Sequence, residues 1–142
     1  MDKDINGVRG IVYIEENPIK YILVKSERGV ISFPGGGTEK GDKSLEEAMI
    51  RELREETGLT PEDYNLKKTD IIDEFIYDKD KEGRAHKKSR QIIYLIKTNK
   101  KSFRPQEETE IKGPYIKKQV LENLTFETSK NIFKKALKYI NK

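Results

Sequence analysis

The chain has 142 residues, a length suited to one domain with a core of its own. Its 29 basic and 25 acidic residues leave a net charge of +4, a mild bias that suits anionic ligands but is too weak to mark a nucleic-acid binder. There is no cysteine, which excludes disulfides, thiolate metal sites and a cysteine nucleophile.

The opening residues, Met1 to Gly10, are polar and lack the apolar core of a secretory signal. No apolar run approaches the roughly 18 residues of a membrane span. A cytoplasmic protein with no membrane contact is the expectation. Val8 to Ile14 reads as a strand, Glu15 to Pro18 as a turn, and Ile19 to Lys25 as a second strand, together a hairpin. Arg28-Gly29 turns the chain again, and Val30 to Phe33 makes a short third strand. Pro34 to Gly37 breaks regular structure, and such a glycine run lets backbone groups come close to a ligand.

A helix is expected from about Ser44 to Thr57, stopped by Gly58. Thr69 to Tyr77 and Gln91 to Thr98 read as two more strands, with the charged segment Asp78 to Arg90 as a long exposed loop between them. Lys100 to Gly113 reads as a polar loop, and Tyr115 to Leu124 has no clear pattern. Thr128 or Ser129 can cap a last helix ending near Ile140, whose apolar stripe is Ile132, Phe133, Ala136, Leu137 and Ile140. The order predicts an α/β fold, a mixed β-sheet with helices on both faces.

The helix after the glycine run carries the chemistry. On a wheel of about 100° per residue, Leu45, Ala48, Met49 and Leu53 form the apolar face. A surface helix should keep its acids opposite that face. Here Glu52 falls between Ala48 and Leu45, Glu56 falls between Leu45 and Met49, and Glu55 lies beside Ala48. Like charges crowded against an apolar face repel and are costly to desolvate. A hard divalent cation removes that cost, and oxygen ligands favour Mg²⁺ or Mn²⁺. The competing reading is a solvated helix whose acids are offset by Arg51, Arg54, Lys40 and Lys43.

The stretch Phe33 to Leu59 resembles the Nudix box, G-x5-E-x7-R-E-U-x-E-E-x-G-U, where U is a bulky aliphatic residue. Arg51, Glu52, Leu53, Glu55, Glu56, Gly58 and Leu59 match its second half without a gap, and Pro34-Gly35-Gly36 resembles the lead-in. The first half departs from the pattern. A gapless count puts Lys43 where glutamate is expected. Anchoring on Pro34-Gly35-Gly36 puts Asp42 there, with one extra residue before Arg51, and keeps a carboxylate.

The resemblance implies a single Nudix domain over 1–142, with the α/β/α sandwich of that family. It implies Mg²⁺-dependent hydrolysis, Mn²⁺ being the alternative ion, of the pyrophosphate linkage in a nucleoside diphosphate joined to another moiety. That moiety would make the substrate a nucleoside triphosphate, a dinucleoside polyphosphate, a nucleotide sugar or an RNA 5′ end. Glu52, Glu55 and Glu56 are then metal ligands, joined by the carbonyl of Gly36, with Glu55 or Glu56 able to hold the attacking water. Arg51 orients a glutamate. The base is expected in a later loop, among Glu107, Glu108 and Glu110, with Glu110 favoured because Glu110-Ile111 resembles a family pair. Lys25, Arg28, Arg84 and Arg90 are candidates to meet phosphates. His86, the only histidine, carries a weaker case. The protein would work as a monomer or homodimer. Two rival readings are an inactive, regulatory nucleotide-binding Nudix module, and a basic RNA-binding domain resting on Lys79 to Arg90.

Overall fold

A computed structural model describes residues 4–76 and 88–140. Runs of β-branched and aromatic residues form the strands β1 (Gly7–Ile14), β2 (Lys20–Lys25), β3 (Ile31–Ser32), β4 (Gly35–Gly37), β5 (Tyr64–Ile76), β6 (Lys88–Thr98) and β7 (Glu110–Tyr115). The helices are α1 (Leu45–Thr57), α2 (Lys117–Asn123) and α3 (Glu127–Ile140). A single 3₁₀ turn, Pro61–Asp63, leads into β5.

All seven strands join one mixed sheet. β1 runs parallel to β6, and every other pairing is antiparallel. The first half of β1 takes β4 as its neighbour and the second half takes β2, so the glycine segment is pinned beside Gly7, Val8 and Arg9. β7 lies along β2, with Lys25 opposite Glu110.

Alternation along β6 sorts the core into two layers. Ile92, Tyr94 and Ile96 meet Leu45, Ala48, Met49 and Leu53 of α1. Ile93 and Leu95 meet Val120 of α2 and Ile132, Phe133 and Ala136 of α3. Phe133 is fully buried and meets Tyr21 edge-on, with ring centroids 4.9 Å apart. This is the expected mixed sheet between helical layers.

Several elements differ from the sequence reading. β4 is a strand where a break was expected, because Gly35 to Gly37 can lie flat against β1. β5 starts at Tyr64 rather than Thr69, since Tyr64 to Lys68 continue the pairing with β6. β7 and α2 occupy stretches read as loop and as patternless. Among the described residues, no helix is long and apolar enough to cross a membrane.

Candidate active site

α1 has a defined beginning and end. The Ser44 hydroxyl accepts from the Glu47 N–H at 3.1 Å, and Glu46 and Glu47 sit in the first turn, where the helix dipole favours acids. Gly58 closes the helix at φ 78°, with its N–H donating to the Arg54 carbonyl at 3.0 Å. These caps fix the rotation of α1, and with it the direction of its acids.

Glu52 does point inward, and only 9% of it is exposed. Its carboxylate lies against the backbone of Gly36, where a Cβ would come within 2.9 Å of Glu52 Oε1. A side chain there would press the carboxylate aside, so glycine keeps the strand and the acid in contact. The neighbouring Gly35 N–H donates to Glu56 Oε2 at 2.6 Å. The glycine segment and the helical acids therefore form one surface.

Arg51 organises the other acids. Its Nε and Nη2 donate to the two oxygens of Asp42, both at 3.0 Å, in the forked geometry that suits a carboxylate. Its Nη1 donates to Glu52 Oε1 at 2.9 Å and Glu55 Oε1 at 3.1 Å, and its Nη2 to the Gly37 carbonyl at 3.1 Å. Lys43, the other residue aligned with the missing box glutamate, is exposed. Of the two residues aligned with that glutamate, Asp42 is the one that meets the box arginine, and Glu39 of the same turn also pairs with Arg51, at 3.3 Å.

The electrostatics follow from the burial. Desolvation, and then the charge of Glu52, push the Glu56 carboxyl up to about 8, against the pull of Arg9 and the Gly35 N–H. Burial also raises Glu52, while Arg51 opposes the rise and Glu55 and Glu107 add to it. Hydrogen bonds from Arg51 hold Asp42 below the usual carboxylate range.

Among the described residues, no three acids converge closely enough to grip an ion as they stand, since Arg51 and Gly35 occupy their oxygens. The donor set nonetheless fits a hard divalent cation. It offers carboxylate and carbonyl oxygens only, and two of its acids are desolvated beside each other.

The NUDIX domain model matches residues 6–134. The chain belongs to the NUDIX domain family. The fold is shared with an Ap4A hydrolase from C. elegans in a binary complex, at TM-score 0.75 and 17% identity over 96% of this chain and 98% of that one. It is shared with the E. coli dihydroneopterin triphosphate pyrophosphohydrolase at TM-score 0.76 and 12% identity, over 94% and 97% of the two chains. A MutT protein from Bacillus halodurans is 26% identical at TM-score 0.64, covering 90% of this chain and 78% of the other.

The remaining candidates of this Nudix domain are dispersed. Glu110 is exposed at the start of β7, where Lys112 holds its carboxyl low. It shares a shallow cleft with Lys25 and Glu108. Glu107 stands elsewhere. Its backbone N–H donates to the Glu55 carbonyl at 3.2 Å, and its charge acts on both Glu52 and Glu56. Arg28 is exposed in the turn between β2 and β3. Arg90 pairs with Glu74 at 3.1 Å and Asp4 at 3.4 Å. Arg84 and His86 lie outside the described residues, as does Lys79 to Lys87 of the basic stretch.

Sequence reading passed over Arg9, Gln91 and Asp73. Each interrupts an apolar strand, which is the signal that could have found them. Arg9 Nε donates to Gln91 Oε1 at 2.9 Å, Arg9 Nη1 donates to the Phe33 carbonyl at 2.6 Å, and Asp73 pairs across the sheet with Gln91.

Proposed function

We propose that this Nudix domain hydrolyses the phosphoric anhydride of a nucleoside diphosphate linked to another moiety, with Mg²⁺ or Mn²⁺ as cofactor. The supporting observation is the desolvated pair Glu52 and Glu56 set against the glycine segment, with Arg51 joining Asp42, Glu52 and Glu55. An acid pair buried for packing alone would cost stability with no return. Nucleoside triphosphates, dinucleoside polyphosphates, nucleotide sugars and RNA 5′ ends are the substrate classes within this reading. A cytoplasmic protein working as a monomer or homodimer is consistent with it.

Glu52, Glu55, Glu56 and the Gly36 carbonyl would hold the cation. When bound, such an ion neutralises phosphate oxygens and makes water more acidic. The chain supplies the rest. Arg51 fixes Glu52 and Glu55, and Asp42 fixes Arg51. Water attacks one phosphorus, the bridging P–O bond breaks, and the leaving phosphate takes the electron pair. A carboxylate takes the proton from water. Glu56 and Glu107 are better placed for this than Glu110, because the charge of Glu107 reaches Glu52 and Glu56. Lys25 is the described basic residue best suited to a phosphate, half-buried at the end of β2 and opposite Glu110. The inactive regulatory reading rests only on the missing box glutamate, where Asp42 or Lys43 stands.

The deciding experiment incubates the chain with a panel of nucleoside diphosphate derivatives and Mg²⁺ and identifies both products by mass. Cleavage at the anhydride, abolished by EDTA and reduced by orders of magnitude in Glu52→Gln, is expected. Turnover unaffected by chelator or by that substitution overturns the reading.

A further inference from the structure

The net charge of +4 is not spread over the molecule. Residues 117–140, which span α2 and α3, hold six lysines and two glutamates, and that is the whole of the net charge. Both helices pack on the face of the sheet opposite α1. On the strands and loops, Lys20, Lys97, Lys101 and Lys112 each meet a glutamate. Lys117, Lys118, Lys134, Lys135 and Lys138 are exposed and make no hydrogen bond or ion pair among the described residues.

These lysines form a path with a direction. α3 starts beside Arg9, which shares a cleft with Thr128 and Ser129. Arg9 pairs with Gly35, whose N–H donates to Glu56 at 2.6 Å. At the other end of α3, Ile140 shares a groove with Lys117, Lys118 and the turn after β1. The 14 residues of α3 thus lead about 21 Å away from the acids of α1. Lys130, Lys134 and Lys138 lie four residues apart, in one row with steps of about 6 Å. Like charges at that spacing repel, so the row costs stability until an anion lies along it.

A compact anion neutralises one or two such groups. A strand with one phosphate per nucleotide can meet the whole row. Of the four substrate classes, only an RNA 5′ end brings such a strand, because the other three end within a nucleoside or sugar of the phosphate chain. We infer that the α2–α3 layer carries the strand behind a 5′ end whose anhydride lies at the acids of α1. The inference rests on the proposed function for the cleavage, and deepens it by selecting RNA 5′ ends among its substrates.

The test uses the full chain with Mg²⁺ and a single-stranded RNA of about ten nucleotides, which outreaches α3 at about 3.4 Å or more per nucleotide. Fluorescence anisotropy of the 5′-monophosphorylated strand, which holds no anhydride, reads binding apart from turnover. The combined variant Lys134→Gln, Lys135→Gln, Lys138→Gln should bind the strand at least about tenfold more weakly. Its log–log salt dependence should be shallower by about 2, as three lost phosphate contacts require. Arginine at the same three positions should keep the affinity. In turnover, the 5′-triphosphorylated strand should show a kcat/KM at least about tenfold above that of a nucleoside triphosphate, through KM. The glutamine variant should lose that advantage and cleave the nucleoside triphosphate as wild type does. Equal strand binding by wild type and the glutamine variant, or no preference for the strand in turnover, overturns the inference. So does lysine-dependent binding to phosphatidylglycerol vesicles with none to the strand. Lysine-dependent strand binding without any cleavage sinks only the hydrolase reading, whereas nucleoside triphosphate cleavage without strand preference sinks this inference alone.

Discussion

Arg51 donates to Asp42, Glu52 and Glu55 at once, so each acid's position depends on the others. Asp42 touches only the arginine side of this network, whereas Glu56 lies against Gly35. Asp42→Asn should therefore lower kcat less than Glu56→Gln, because Arg51 keeps its bonds to Glu52 and Glu55. Steady-state kinetics of the two variants compare them, and equal losses would make Asp42 a primary ligand. Glu56 also carries a stability signature in chelator-treated protein. Its folded pKa is about 8 against an ordinary 4.5, so the native state holds the proton more tightly. The stability this contributes is present below 4.5 and is lost as pH rises toward 8. Melting curves in EDTA should show wild type losing stability relative to Glu56→Gln across that window. A constant difference between the two would refute the assignment.

At the scale of elements, α1 was legible from residue types alone. The apolar stripe and Gly58 as stop act within a few residues of themselves, and the structure keeps both and adds the Ser44 cap. Gly58→Ala should destabilise by more than about 1 kcal/mol. Its φ is 78°, and a Cβ there would also collide with the Arg104 carbonyl oxygen. Chemical denaturation measures this, and an unchanged midpoint would show that the helix end relaxes freely. β7 is the opposite case. Glu110 to Tyr115 is polar, interrupted by Gly113-Pro114, and lacks alternation, yet it is a strand because β2 offers it an edge from Tyr21 to Lys25. Only the partner strand specifies it, and no local pattern could.

At the scale of the whole molecule, the sheet is shared by two cores, and Phe133 closes the one beneath α2 and α3 through Tyr21 and Phe33. Phe133→Ala should cost about 3–5 kcal/mol, as a large cavity does in a close-packed core. Urea titration checks this, and a loss under about 1 kcal/mol would mean the layer refills the space. The sequence by itself determined a mixed sheet with helices on both faces and the inward acids of α1, because helical period and strand alternation are local geometry. It could not determine that Glu107 comes within electrostatic reach of Glu52, that Arg9 bonds Gln91, or that Asp73 faces a cleft beside Phe126. Those neighbours are far apart in the chain and meet only through sheet pairing and helix packing, so only the tertiary structure decided them.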